Sequence, residues 1–160
     1  MSEVHKVYVG CCMIILNPDG DKVLIAQRKK EPDIDGWQIP GGAVDYDDGE
    51  NLIAAASREA FEETGIEVKN PEFVCVMNSF YYGKQRPIHI AFVARAQSEQ
   101  IPPNPEPQKA TDWQWVELNS LPSGKWFRMS KTAVEFYKKL QSDPNINRAW
   151  IDPDFPRINK

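Results

Sequence analysis

The chain has 160 residues and a formal net charge of −4; 41% of the residues are hydrophobic and 26% are charged. These values are typical of a single globular domain, residues 1–160, with enough apolar side chains to bury a core. The acidic balance argues against binding to duplex nucleic acid, and the densest basic cluster, QRKK at 27–30, is too short to indicate it. Binding of an anionic ligand would therefore require local positive charge from Arg, Lys or metal ions.

The three cysteines and the apolar run near the start of the chain indicate a cytoplasmic protein. Cys11, Cys12 and Cys75 make an odd number without a disulfide framework, so reduced thiols are predicted. The apolar run VYVGCCMIIL at 7–16 is too short to cross a bilayer. It lacks a basic leader and continues into the turn sequence NPDGDK, so we interpret it as a strand and predict no membrane segment.

The first half of the chain predicts a β-hairpin followed by a short extended segment. Residues 6–15 and 22–28 are rich in Val, Ile and Leu, and the turn sequence NPDG lies between them. The stretch GWQIPGG at 36–42 is extended and ends in a glycine pair.

A helix is predicted from residue 49 to residue 64. Asp47 or Asp48 can cap its start, and acidic residues cluster in the predicted first turn. Gly65 stands where a left-handed C-cap forms. The alanines of this segment are left to pack away from its acidic side.

The second half predicts two strands, a loop and a third strand. The strands at 72–80 and 87–96 flank the sequence YYGKQR, and residues 97–109 are polar with four prolines. DWQWVEL at 112–118 alternates as a strand does.

A second helix and a polar tail complete the chain. Apolar residues at helical spacing predict a helix at 130–140, and the tail from about 141 is rich in Pro and Asp. This tail either covers a surface in a homodimer or closes the fold. The mixed order of strands and helices indicates an α/β sandwich.

Three glutamates of the first predicted helix share one side. At 100° per residue, Glu62 and Glu63 lie about 60° and about 40° to either side of Glu59. Like charges at this spacing repel each other by roughly a few tenths of a kcal/mol per pair. The stripe is therefore either a solvated surface or a site for a hard divalent cation such as Mg²⁺, which binds carboxylates and substrate phosphates together.

The sequence around these glutamates resembles the signature of the Nudix hydrolases. That signature is Gly, five residues, Glu, seven residues, then Arg-Glu-aliphatic-any-Glu-Glu-any-Gly-aliphatic. Here Glu50 is followed by seven residues and then by REAFEETGI at 58–66, a match at many fixed positions. The resemblance implies a Nudix-type α/β/α sandwich with a mixed β-sheet, in which the signature forms a loop–helix–loop.

The sequence departs from the signature before the helix. Seven residues, rather than five, separate Gly42 from Glu50, which is a two-residue insertion. Extra loop length costs little free energy, and the register of the glutamates is unaffected. The insertion affects the role of Glu50 and the position of the backbone carbonyl of Gly42, which in this family often completes the metal shell.

The resemblance implies hydrolysis of a nucleoside diphosphate linked to another moiety, by attack of water on phosphorus with Mg²⁺ or Mn²⁺ bound. It implies that Glu59, Glu62 and Glu63 hold the cations, with Glu59 the candidate base towards the attacking water. It also implies that Arg58 supports the glutamates by hydrogen bonding. Glu50 is then a partner of these residues or an outer ligand.

Further candidates lie outside the signature. Family members often add an acidic ligand from a distal loop; Glu106 in PNPEPQK is the candidate here, and a solvated loop residue is the alternative. Arg28 can contact a phosphate or lie on the surface. Phe80 and Trp113 can stack on a base, although the alternation of DWQWVEL also favours packing of Trp113 in the core.

A second resemblance narrows the substrate. MNSF at 77–80 and PEPQKATDWQWVELNSLP at 105–122 look like the nucleoside-triphosphate-cleaning branch of the family, where a similar EPEK…WEW stretch occurs. Gln108 stands where that branch tends to have glutamate. We predict a (deoxy)nucleoside triphosphate pyrophosphohydrolase that releases pyrophosphate, with nucleotide sugars, ADP-ribose and dinucleoside polyphosphates as alternative substrates.

Two other classes of function fit parts of the sequence. A non-catalytic Nudix-fold module would bind nucleotides without turnover, but such proteins usually lose signature glutamates that are all present here. A nucleic-acid binder using QRKK and the aromatic residues would show steeply salt-dependent affinity, which the acidic balance disfavours. His5 and His89 have no catalytic spacing, and we interpret His89 as an ordinary strand histidine.

Overall fold

The computed structural model describes residues 7–31, 33–45, 49–78 and 87–151. Within these ranges the chain forms a mixed β-sheet with a helix on each face, which confirms the predicted α/β sandwich. The elements are β1 (Val9–Leu16), β2 (Lys22–Gln27), β3 (Trp37–Gln38), β4 (Gly41–Ala43), α1 (Leu52–Thr64), β5 (Glu72–Asn78), β6 (Ile88–Arg95), β7 (Gln114–Glu117), α2 (Arg128–Ser142) and β8 (Ala149–Ile151).

Strand β1 lies at the centre of the sheet. The strand order is β3-β2-β1-β6-β5-β8, with β4 paired to β1 and β7 paired to β2. β1 is antiparallel to β2 and β4 and parallel to β6. In this register Gly42 of β4 lies opposite Cys11, so the glycine pair Gly41–Gly42 borders the central strand.

The side chains of β1 enter two cores because successive residues of a strand point to opposite faces. Met13 and Ile15 pack with the buried alanines of α1. Ile14 and Leu16 pack on the other face with Phe136 of α2. The run that the sequence assigned to a strand is therefore buried on both sides, as its continuous hydrophobicity requires.

Helix α1 begins at Leu52, three residues later than predicted. Its N-cap is Asn51, whose side-chain oxygen accepts a hydrogen bond from the Ala54 N–H at 2.9 Å. The prediction of a cap from Asp47 or Asp48, which lie outside the described residues, is wrong. No acidic residue lies in the first turn, contrary to the prediction, because the helix starts after the acidic part of the loop.

The end of α1 is as predicted. Gly65 adopts a left-handed φ of 71°, and its N–H donates to the Phe61 carbonyl at 2.8 Å. The Thr64 hydroxyl donates to the Ala60 carbonyl at 2.6 Å. Pro102 of the proline-rich loop packs here, since a Cβ at Gly65 would lie 3.1 Å from its Cβ.

The tail contributes a strand that the sequence did not predict. β8 pairs in parallel with β5 at the edge of the sheet, beyond an α2 that spans 128–142 rather than 130–140. All three cysteines are buried and free, as predicted. Neither described helix has the length and apolar character that crossing a membrane requires.

Replacing Asn51 with alanine removes the acceptor that caps α1. We expect the free energy of unfolding to fall by about 1 kcal/mol, the usual effect of losing a polar N-cap. Asn51→Asp keeps the acceptor and is the matched control. Urea unfolding followed by circular dichroism measures both variants, and equal stabilities would show that Asn51 does not cap the helix.

Candidate active site

The glycine pair lies directly against two glutamates of α1. The backbone N–H of Gly41 donates to Glu63 Oε2 at 3.0 Å. A Cβ at Gly42 would collide with the carboxylate of Glu59. Only glycine leaves room for that carboxylate, so the longer loop between Gly42 and the helix has not separated the glycine pair from the glutamates.

Arg58 holds the acidic residues together. Its Nε and Nη2 donate to the two carboxylate oxygens of Glu50 at 2.8 and 3.0 Å, a bidentate pair. Its Nη1 donates to Glu59 Oε1 at 3.1 Å and to Glu62 Oε2 at 3.0 Å. Nη2 also donates to the Ala43 carbonyl at 3.2 Å. One guanidinium therefore bonds three carboxylates and offsets their mutual repulsion.

Glu50 connects this cluster to the loop before the helix. Its Oε2 accepts a hydrogen bond from the Asp45 N–H at 3.2 Å. The hydrogen bond from Arg58 lowers the pKa of the Glu50 carboxyl below its ordinary value. Both carboxylate oxygens of Glu50 therefore accept hydrogen bonds from Arg58.

Glu63 and Glu59 carry their charge in a partly dry environment. Glu63 is 6% exposed, and burial raises its pKa to about 7; the Gly41 N–H opposes this rise and the charge of Glu59 adds to it. Burial also raises the pKa of Glu59, against the influence of Arg58. The Glu62 side chain is 51% exposed. A neighbouring cation would stabilise the buried carboxylate of Glu63 and the partly buried carboxylate of Glu59.

The proline-rich loop brings Glu106 to the same region. The Asn104 amide donates to two backbone carbonyls after the loop at 3.1 and 3.0 Å, and its Oδ1 accepts from the Glu106 N–H at 2.9 Å. Glu106 Oε1 pairs with Lys109 at 2.6 Å. Glu106 Oε2 is buried without a hydrogen-bond partner among the described residues, and the charge of Glu106 contributes to the raised pKa of Glu63.

These residues suit a hard divalent cation. Their donors are carboxylate oxygens, the unpartnered Glu106 Oε2 is available, and Gly42 leaves open space at Glu59. Across the ranges that the structure describes, no three ligating side chains already converge on one point. Glu59 and Glu62 bond Arg58 instead.

A cleft of about 390 Å³ opens beside the glycine pair, a size typical of small-molecule sites. Arg28 lines it and is 8% exposed, so it is not the surface residue that was the alternative. Its Nη1 donates to Gln38 Oε1 at 2.6 Å, and its guanidinium lies 4.4 Å from the centre of the Phe127 ring. Lys30 adds a second cationic side chain to the lining.

His89 also lines this cleft, which sequence reasoning missed. It lies opposite Gly10 in the β1–β6 pairing, and a Cβ at Gly10 would lie 2.8 Å from its Cε1 and Nδ1. His89 is 7% exposed, and its Nε2 has no hydrogen-bond partner within the described part of the chain. The alternating pattern of β6 gives no sign that His89 has a function. Gly10, which makes room for the imidazole, points to His89 only once the pairing of β1 with β6 is known.

Trp113 is not part of the cleft lining. Its side chain is buried in the core against α1, and its Nε1 donates to the Glu63 carbonyl at 2.7 Å. Of the two alternatives for Trp113, stacking on a base and packing in the core, the structure shows the packing, and the indole anchors the end of the helix that carries Glu63. Phe80, the other predicted stacking residue, lies outside the described residues.

Comparison with known sequences identifies the family. The model of the NUDIX domain matches residues 5–140. The RNA pyrophosphohydrolase of Bartonella tribocorum is 33% identical over 135 residues, which cover 69% of this chain and 76% of that protein. The RNA pyrophosphohydrolase of Ruthia magnifica is 29% identical over 159 residues, covering 89% of this chain and 80% of that protein.

Solved structures agree with this result. The MutT NUDIX hydrolase from Burkholderia pseudomallei has a TM-score of 0.71 and 27% identity, covering 82% of this chain and 98% of that chain. The NUDIX domain of Shewanella oneidensis NrtR, complexed with ADP ribose, has a TM-score of 0.68 and 20% identity, covering 86% and 90%, a likeness in fold alone.

The chain therefore belongs to the Nudix family. It is a hydrolase that acts on nucleoside diphosphate-linked substrates, in a family that generally uses divalent metal cations.

The buried His89 predicts a loss of stability in mild acid. Burial lowers the pKa of His89 to about 4, whereas the unfolded residue titrates near its ordinary value, so between these values only the unfolded chain gains the proton. Between pH 7 and pH 5 we expect His89 to lower the free energy of unfolding by on the order of 2 kcal/mol, while Glu63, whose pKa is raised to about 7, acts in the opposite direction.

His89→Phe should lack this component while keeping the titrations of every other residue. The neighbouring Tyr8 does not contribute in this range, since burial raises its pKa above 10.0. Urea unfolding at the two pH values measures the difference, and an identical pH dependence in both proteins would mean that His89 is not buried as a neutral imidazole.

Proposed function

We propose that the chain hydrolyses the 5′-triphosphate of a nucleotide, free or at the end of an RNA, to the 5′-monophosphate with release of pyrophosphate. The observation that carries this proposal is the position of the glycine pair. Gly41 and Gly42 line the cleft that contains Arg28, and they also contact Glu63 and Glu59. A phosphate chain bound in the cleft would therefore lie beside the glutamates.

Two lines of evidence favour the triphosphate over other Nudix substrates. The segments at 77–80 and 105–122 resemble the nucleoside-triphosphate-cleaning branch, and the two sequence relatives are RNA pyrophosphohydrolases. Removal of pyrophosphate from RNA and from a free nucleoside triphosphate breaks the same kind of phosphoric anhydride bond. The shared substrate feature is a triphosphate on a 5′ oxygen.

We assign Mg²⁺ or Mn²⁺ to the glutamates Glu59, Glu62 and Glu63, with Glu106 and the Gly42 carbonyl as further ligands. Divalent cations neutralise phosphate oxygens and lower the pKa of coordinated water. Support comes from the all-oxygen donor set, from the unpartnered Glu106 Oε2 and from the raised pKa of Glu63. Glu62, the most exposed of the three, would hold the cation together with Glu59 and Glu63, and its Oε2 bonds Arg58 in this structure.

The cleft residues have distinct tasks in this proposal. Arg28 binds phosphate oxygens with a guanidinium that Gln38 and Phe127 already hold in place, so little side-chain freedom is lost on binding. Lys30 adds positive charge. Glu59 accepts the proton of the attacking water, since it lies beside Gly42 and its pKa is raised by burial. Arg58 keeps Glu59 in position.

A substrate panel with Mg²⁺ and with Mn²⁺ tests the proposal. It contains nucleoside triphosphates, 5′-triphosphate RNA, ADP-ribose, a nucleotide sugar and a dinucleoside polyphosphate. We expect pyrophosphate and a 5′-monophosphate from one or both triphosphate substrates, and the two arms decide between free nucleotide and RNA. Turnover of ADP-ribose or the nucleotide sugar alone, or binding without any turnover, would contradict it.

Glu63→Gln separates charge from structure at the site. The amide oxygen can still accept the Gly41 N–H, so the melting temperature should stay near that of the wild type, whereas kcat should fall at least roughly 100-fold because an anionic ligand is lost. Glu67→Gln, at an exposed acid just beyond the helix, is the control. Near-normal turnover by Glu63→Gln would refute the assignment.

Glu106→Gln tests the distal ligand directly. We expect the affinity for Mn²⁺, measured by electron paramagnetic resonance titration, to fall at least roughly 10-fold, since loss of a partner that only supports a metal ligand already has an effect of about that size. Lys109 loses its partner in this variant, so Lys109→Met is the comparison that removes the ion pair but keeps the carboxylate. Equal Mn²⁺ affinity in wild type and Glu106→Gln would remove Glu106 from the ligand set.

A further inference from the structure

We propose that His89 is a specificity-determining residue whose Nε2 hydrogen-bonds the nucleobase of the substrate. This inference rests on the proposed function, because it assigns the nucleobase of the substrate to the part of the cleft that the phosphates do not occupy. The supporting observations are the position of His89, its burial and its unpaired nitrogen.

The topology places His89 across β1 from the charged residues. Arg28 follows β2 on one side of β1, and His89 lies in β6 on the other. Ala43, next to the glycine pair, lies opposite Gly10, which in turn lies opposite His89. Two strand spacings, roughly 10 Å, therefore separate the glycine pair from His89. A ribose together with its base spans such a distance from a 5′-phosphate.

The imidazole is held in one orientation. Gly10 lies against its Cε1 and Nδ1, where a side chain would not fit, and the Tyr8 ring lies 5.8 Å away at an interplanar angle of 50°. His89 lines the cleft and is 7% exposed, and its Nε2 is buried without a hydrogen-bond partner within the described residues. Buried polar atoms are nearly always hydrogen-bonded, so an unpartnered nitrogen on a residue that lines a binding cleft points to a ligand atom as its partner.

The surroundings of His89 favour a base over a phosphate. Among the described residues, the lining next to His89 consists of Tyr8, which immediately precedes β1, and Pro87, which precedes β6, whereas Arg28 and Lys30 lie on the β2 side of β1. Burial keeps the imidazole neutral at physiological pH, since its pKa is about 4. A neutral ring offers one directed hydrogen bond rather than a charge, and base edges carry matching donors and acceptors.

Nitrogen-15 NMR of the imidazole tests this contact without depending on turnover. The chain has two histidines, His5 and His89, so His89→Phe assigns the signals. With Mg²⁺ present, a nonhydrolysable nucleoside triphosphate analogue should shift the Nε2 resonance of His89, and inorganic tripolyphosphate should not. The proposal would be overturned if saturating nucleotide left the Nε2 resonance unshifted, which is expected when a trapped water rather than the base is the partner of Nε2. It would also be overturned if both ligands produced the same shift.

Kinetics with two substitutions provide the second test. His89→Phe keeps an aromatic ring but removes both ring nitrogens, so kcat/KM for the preferred nucleoside triphosphate should fall roughly 2- to 10-fold, mainly through a higher KM. The kcat/KM values of the four nucleoside triphosphates should also differ less from one another in this variant than in the wild type. His89→Gln places an amide near the Nε2 position and should recover part of the loss. Unchanged KM and base preference in His89→Phe would overturn the inference.

The two proposals fail in different ways. If the wild-type chain neither binds nor hydrolyses any 5′-triphosphate, the proposed function fails and this inference fails with it. If the chain hydrolyses triphosphates and His89→Phe keeps the wild-type KM and base preference, only the role of His89 is removed.

Discussion

The site depends on the concentration of negative charge that α1 presents to the glycine pair. Glu59 and Glu63 are packed against Gly42 and Gly41, where burial raises the pKa of both carboxyls. Such an arrangement is costly unless positive charge is nearby. Arg58 supplies part of it through its bonds to Glu50, Glu59 and Glu62, and a divalent cation would supply the rest.

The fold places this charge where it can act on a ligand. β4 runs antiparallel to the central strand, so its two glycines form both the edge of the cleft and the surface that the glutamates contact. Side chains at these positions would separate the cleft from the glutamates. Arg28, which follows β2, forms the opposite wall of the cleft. The cationic side of the cleft is therefore separated from the glutamates only by the backbone of the glycine pair.

The parts of this structure that follow local rules could be predicted from the sequence. The shared side of Glu59, Glu62 and Glu63 follows from helical geometry, and the C-cap follows from Gly65. The start of α1 was misplaced because Asn51 competes with several acidic residues as a cap, and local propensity does not rank them.

Features that depend on long-range pairing could not be predicted. The opposition of Gly10 and His89 exists only in the register of β1 with β6, whose strands are far apart in the sequence. The hydrogen bond from the Trp113 indole to the Glu63 carbonyl likewise depends on where the chain before β7 meets the end of α1. The sequence resemblance named Glu106 as a candidate ligand, but its nearness to Glu63 depends on the proline-rich loop reaching the end of the helix.

Anomalous diffraction from crystals grown with Mn²⁺ and a nonhydrolysable 5′-triphosphate analogue tests most directly whether the acidic face of α1 is a metal site beside a phosphate site. We expect a manganese peak at ligand distance from the carboxylates of Glu59 and Glu63, with phosphate oxygens of the analogue beside Arg28. Bound analogue in the cleft with no manganese peak at these carboxylates would contradict it.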